Sequence, residues 1–81
     1  MSNFDYDLKH IDQAYFEVRR ATEGLAATDP IVAEQSRRFE NVWATACNEA
    51  RMAWESMHVD LFLAEGGALG AAISSAVKRV G

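Results

Sequence analysis

Apolar positions recur at alternating spacings of four and three along the first third of the chain. The positions are Phe4, Leu8, Ile11, Tyr15, Val18, Thr22 and Leu25. This spacing forms one stripe on a helix and turns the charged residues to the other side. The pattern therefore predicts a helix over residues 4–26 that packs against a second helix in the manner of a coiled coil.

Phe16 lies outside this stripe, on the charged side of the predicted helix. A single exposed aromatic residue is common on protein surfaces, and a contact for another molecule is the alternative. The sequence leaves both interpretations open, so Phe16 is an outlying candidate for a partner contact.

The second predicted helix begins at a capping signal. Asp29 can accept a hydrogen bond from a backbone N–H of the first turn, and Pro30 suits the first helical position. No Gly or Pro follows until Gly66, so we expect one helix over residues 30–65, about 50 Å long. The short turn before it favours an antiparallel hairpin.

This second helix carries two apolar stripes. The main stripe, which faces the hairpin core, consists of Val32, Ser36, Phe39, Trp43, Ala46, Ala50, Ala53, Met57, Leu61 and Ala64. The later half adds a second stripe, formed by Met52, Val59 and Leu63 with Phe62 beside them. The first helix and a short third helix over residues 68–80 cannot cover both. We therefore predict that the second stripe contacts another subunit or a partner protein.

Together these elements predict an all-α fold with a single helical domain over residues 1–81. Its expected architecture is an antiparallel helical hairpin with a long second helix and a short third C-terminal helix. A chain of this length buries only about 60–65% of the surface that its unfolded form exposes. Self-association would add to its stability, so a homo-oligomer is also expected.

The charge distribution narrows the choice of partner. The chain has 12 acidic and 8 basic residues, a net charge of −4, which disfavours direct nucleic-acid binding. Five acidic residues of the first helix form a candidate surface for docking on a basic site. They are Asp5, Asp7, Asp12, Glu17 and Glu23.

The sequence predicts a reducing, cytoplasmic location. Cys47 is the single cysteine, so no internal disulfide can form. The N-terminal residues lack the positive start and the apolar core of a signal peptide. The most apolar window, residues 61–77, falls short of the ~20 apolar residues of a bilayer span, so no membrane span is expected.

Candidate chemistry is sparse, and we predict a protein that is not an enzyme and needs no cofactor. No phosphate-binding loop or nucleophile with a neighbouring base is visible. Glu55 and His58 have the spacing found in carboxylate-bridged di-iron bundles, and Asp7 and His10 repeat it. Since neither pair lies on a main stripe, a solvated helix face is expected rather than a metal site.

The run Trp43-Ala44-Thr45-Ala46, with Ala50 and Trp54, resembles the middle of the WXG100 (ESAT-6-like) proteins. The resemblance implies a small helical hairpin exported by type VII secretion. Thr45 stands where that family has the glycine of its hairpin turn, and a C-terminal Tyr-x-x-x-Asp/Glu signal is missing. In outline, the two helices joined by an Asp-Pro turn also resemble filament-forming needle subunits.

These features predict a small non-enzymatic helical protein that acts by binding another protein. One specific form is an inhibitor, encoded by a phage or a mobile element, that blocks a host protein. The alternative is a self-assembling structural or secreted helical subunit, either WXG100-like or filament-like.

Overall fold

The computed structural model describes residues 3–58 and 67–80, and all of the regular structure in these residues is helical. The helices are α1 (Phe4–Thr22), α2 (Pro30–Thr45), α3 (Asn48–Met57) and α4 (Gly67–Val80). The all-α prediction is confirmed for the described part of the chain. The arrangement of the helices differs from the predicted hairpin in two places.

The first difference is the end of α1, which comes at Thr22 instead of residue 26. Glu23 leaves the helical conformation, with φ −60° and ψ 128°. Gly24 follows with φ +78°, a left-handed conformation that glycine adopts without a steric penalty. A glycine just past the last turn is a common helix terminator, and the stripe of apolar residues masked this signal.

The start of α2 agrees with the capping signal in the sequence. The Asp29 carboxylate accepts a hydrogen bond of 2.9 Å from the backbone N–H of Ile31. Pro30 occupies the first helical position, where no intrahelical donor is needed. The prediction of a helix start at this Asp-Pro pair is confirmed.

The second difference is an interruption of the predicted long helix. Helix α2 ends at Thr45, and Ala46 and Cys47 are extended, with ψ angles of 149° and 155°. Helix α3 then begins at Asn48. The greatest extent of the Cα trace is 41 Å, whereas a continuous helix of the predicted length would span about 50 Å. The prediction of one unbroken helix is therefore wrong.

A side chain from α1 stabilises this interruption. The Asp7 carboxylate accepts a hydrogen bond of 2.8 Å from the backbone N–H of Cys47, the N-cap residue of α3. A carboxylate at a helix N-terminus also interacts favourably with the helix dipole. The break therefore depends on a tertiary contact 40 residues away in sequence, which no local pattern reveals.

The contacts of α1 give the directions of α2 and α3. Glu17 pairs with Arg38 of α2, whereas Asp7, earlier on α1, contacts the residue that follows the end of α2 at the break. Helix α2 therefore runs antiparallel to α1. Asp12 lies 3.4 Å from His58, the residue after α3. Helix α3 thus runs in the same direction as α1, and the chain reverses at the break.

An aromatic cluster fills the space between these three helices. The indole ring of Trp54 lies with its centroid 5.6 Å from Phe39 and 5.8 Å from Trp43, both on α2. Its centroid is 5.7 Å from Tyr15 of α1. All four side chains are buried. Aromatic pairs at these separations stabilise a core beyond the area they bury.

Helix α4 packs mainly against α2, through small side chains. Ala68, Ala72 and Ala76 are buried, together with the larger Ile73. The Ser36 hydroxyl of α2 donates a hydrogen bond of 3.2 Å to the carbonyl oxygen of Ala72. Small residues allow this close approach of two helices. Among the described residues, α4 contacts α2 more than α1, and Phe16 of α1 and Met52 of α3 stay exposed.

Candidate protein-binding surface

Two consecutive aromatic residues of α1 lie in opposite environments. The side chain of Tyr15 points into the core and is 7% exposed, whereas that of Phe16 is 55% exposed. Neighbouring positions on a helix point in directions about 100° apart, so the residue that follows a buried position can lie outside the buried stripe. Phe16 therefore presents a large apolar surface outside the core.

Phe16 lies in an open groove on the outer side of α1, which we name the Phe16 groove. Its described lining residues are Lys9, Asp12, Gln13, Phe16, Glu17, Arg20, Ala21 and Arg38. The groove has a volume of about 650 Å³, within the range of binding sites for small molecules or side chains. All of these residues except Arg38 lie on α1, since one side of that helix faces away from the core.

The two acidic residues of the groove already have partners within the chain. Glu17 forms an ion pair of 2.6 Å with Arg38. One oxygen of Asp12 accepts a hydrogen bond of 3.4 Å from the indole N–H of Trp54. The same oxygen lies 3.4 Å from Nε2 of His58, although the geometry of that contact is not that of a hydrogen bond.

The remaining charges of the groove are positive. Lys9 and Arg20 are exposed, seven positions before and four positions after Phe16. Within residues 3–58 and 67–80, neither side chain is part of an ion pair. The apolar ring of Phe16 is therefore flanked by two cations that are free to meet an acidic partner.

The predicted acidic surface is only partly free. Asp5 and Glu23 are exposed, at opposite ends of α1. The other three members, Asp7, Asp12 and Glu17, make the contacts with the α3 N-terminus, with Trp54 and with Arg38. Their role in docking stays a prediction.

Met52 is exposed on the outer side of α3, with 62% of its surface accessible. Glu49 and Glu55, three positions before and after it, are exposed as well. We name these three residues the Met52 face. The other predicted contacts of the second stripe, Val59, Phe62 and Leu63, lie outside the described residues.

The Glu55 and His58 pair does not converge on a common point. Glu55 is exposed, whereas the imidazole of His58 packs on Trp54 with a centroid distance of 4.5 Å. The side chains of Asp7 and His10 do not converge either. Asp7 accepts a hydrogen bond at the α3 N-terminus, and His10 packs on Tyr6. Among the described residues, no group of three possible metal ligands was found.

Sequence reasoning missed the contribution of Arg38 to the groove and the contact of Asp12 with His58. Both depend on how the helices pack, and the second depends on the chain reversal after α2. Tyr6 is a further exposed aromatic residue on α1. Its position off the apolar stripe, like that of Phe16, is the signal that could have identified it.

No protein-family model matches this chain, and no curated protein or solved structure matches it. The break after Thr45 coincides with the position of the hairpin turn in the WXG100 resemblance. That coincidence concerns a single turn and assigns no family. Across the described helices, none has the length and apolarity required to cross a membrane.

Proposed function

We propose that this protein acts without catalysis, by binding another protein through the Phe16 groove. The observation that carries the proposal is the exposure of a phenylalanine ring in a groove beside an otherwise well-packed core. Full burial of such a ring contributes roughly 1.5–3 kcal/mol. Because just over half of Phe16 is exposed, about half of that free energy is still to be gained. A partner that covers the ring recovers this free energy on binding.

A protein partner fits this groove better than a small molecule does. The groove is open to solvent along α1, so a small molecule bound in it would keep much of its surface exposed to water. An aromatic ring with a polar rim is the arrangement found at protein–protein contacts, where aromatic residues supply much of the binding energy. Lys9 and Arg20 add a charged rim that selects an acidic partner.

An inhibitor of a host protein is the more specific form of this proposal. The small size of the chain and its net charge of −4 support it. Asp5 and Glu23 are exposed and available for a basic region of the target. In this form the Phe16 groove supplies the apolar anchor, and the two acidic residues supply orientation.

A capture experiment with matched variants tests the proposal. The immobilised chain is exposed to an extract of its native host, and the bound proteins are quantified for wild type, Phe16→Ser and Tyr6→Ser. Both variants remove an exposed aromatic ring from α1, but only Phe16 lies in the groove. We expect Phe16→Ser to lose a partner that the wild type and Tyr6→Ser retain.

Equal recovery of every bound protein by Phe16→Ser and wild type, from an extract to which free copies of this chain have been added, would contradict the proposal. Circular dichroism of the variants serves as the control for folding. Phe and Ser have similar helix propensities, so a loss of helix is not expected from the substitution itself.

A further inference from the structure

Two of the exposed apolar side chains in the described residues, Phe16 and Met52, have flanking residues of opposite charge. Phe16 is flanked by the cations Lys9 and Arg20, whereas Met52 is flanked by the anions Glu49 and Glu55. We propose that the protein bound in the Phe16 groove is a second copy of this chain, which contributes its Met52 face. This inference rests on the proposed function and names its partner.

The charges support this pairing because they are free on both sides. Within residues 3–58 and 67–80, neither Glu49 nor Glu55 forms an ion pair. The same holds for Lys9 and Arg20. Of the two acidic residues that line the groove, Glu17 pairs with Arg38 and Asp12 accepts a hydrogen bond from Trp54. A copy that approaches with its Met52 face brings two anions to two unpaired cations.

The apolar centres are also complementary. Met52 is a flexible thioether side chain, and Phe16 presents an aromatic ring. Sulfur–aromatic contacts are favourable, and methionine adapts its shape to an irregular groove. The Met52 face spans about 9 Å along α3, and the groove cations are about 17 Å apart along α1. The long side chains of Lys9 and Arg20 allow their charged ends to approach a shorter face.

One copy cannot satisfy both sites by itself. Phe16 and Met52 are each more than half exposed, so neither covers the other within the chain. A contact between different surfaces of two copies leaves one free site of each kind on the pair, unless a two-fold axis places each copy's Met52 face in the other copy's groove. Such heterologous contacts continue into open chains, or they close into rings where the rotation allows it.

Charge reversal on each face tests the inference. One variant combines Lys9→Glu with Arg20→Glu, and the other combines Glu49→Lys with Glu55→Lys. Sedimentation velocity over a concentration series at low salt gives the size of the wild type, of each variant and of their equimolar mixture. All four residues are exposed, and circular dichroism checks that the variants keep the wild-type helix content.

We expect wild type to form larger species as its concentration rises, and less so at high salt because exposed charges are screened. In each variant alone, the two contacting faces carry like charges. The apparent dissociation constant of its self-association should therefore be about tenfold or more above that of wild type. The mixture restores opposite charges at every contact and should recover the wild-type sizes. Recovery in the mixture is specific to contact between the two different faces.

A wild type that stays monomeric at high micromolar concentration overturns the inference. Association that neither variant weakens, or that the mixture fails to restore, overturns it as well. In these cases the proposed function still stands if Phe16→Ser loses a different protein in the capture experiment. If Phe16→Ser loses nothing there and the wild type is monomeric, both proposals fail.

Discussion

The inner and outer sides of α1 both carry large apolar side chains, but only those on the inner side are buried. On the inner side, Ile11, Tyr15 and Val18 are buried against α2 and α3. On the outer side, Tyr6 and Phe16 are more than half exposed. The aromatic cluster of the core forms without the rings of Tyr6 and Phe16. We therefore expect inner residues to control stability and outer residues to control binding.

Helix α3 also has a buried inner side and an exposed outer side. Substitutions on its two sides should give the largest difference in the free energy of unfolding. Trp54 is buried and contacts four other aromatic rings, so Trp54→Ala should lower the free energy of unfolding by about 3–5 kcal/mol. The matched control is Met52→Ala, on the outer side of the same helix. It should change stability by no more than about 0.5 kcal/mol. Urea unfolding followed by circular dichroism measures both values.

A loss of that size is a large part of the stability expected for a chain of this length, about 4–12 kcal/mol. Trp54→Ala could therefore be largely unfolded in water, which would itself agree with the prediction. Equal stability losses from Trp54→Ala and Met52→Ala would contradict the division between inner and outer sides.

A smaller stability difference is expected between variants of Asp7 and Asp5. The Asp7 carboxylate accepts a hydrogen bond at the N-terminus of α3, so it contributes to stability. We expect Asp7→Ala to cost about 1 kcal/mol through loss of the hydrogen bond to the Cys47 N–H. Asp5→Ala is the control, since Asp5 is exposed in the same first turn of α1. Hydrogen exchange at the Cys47 amide should accelerate in the Asp7 variant and stay unchanged in the Asp5 variant.

If both variants lose stability equally, the effect belongs to the dipole of α1 and not to the α3 cap. The break after α2 would then need another cause.

The sequence predicted what depends on local pattern. The buried stripe of α1 and the Asp-Pro start of α2 follow from side-chain spacing and capping chemistry, and both are present. The exposed position of Phe16 follows from the same spacing. Its role as a binding residue stays a proposal.

The break between α2 and α3 could not be read from the same pattern. Ala46 and Cys47 are compatible with a helix, and no Gly or Pro marks the turn. The chain reverses there because Asp7 caps α3 and because Trp54 packs on Phe39 and Trp43. These tertiary contacts outweigh the local preference of Ala46 for a helical conformation, because intrinsic propensities amount to less than about 1 kcal/mol per residue.

The reversal also changed the composition of the candidate site. A straight helix would have carried Met52 away from α1, and its charged neighbours would have had no particular relation to the groove. Once α3 lies beside α1, the chain presents one basic and one acidic apolar site on neighbouring helices. The proximity of the two sites depends on how α3 packs beside α1, which the sequence pattern does not specify.

The most direct test compares the unfolding free energies of Phe16→Ser and Tyr15→Ser in urea, at a concentration low enough for the chain to be monomeric. Tyr15→Ser should lose about 3 kcal/mol, since it removes a buried ring from the aromatic cluster. Phe16→Ser should stay within about 0.5 kcal/mol of wild type, because its ring lies largely outside the core. A loss from Phe16→Ser as large as that from Tyr15→Ser would contradict this account and assign Phe16 to the folding core.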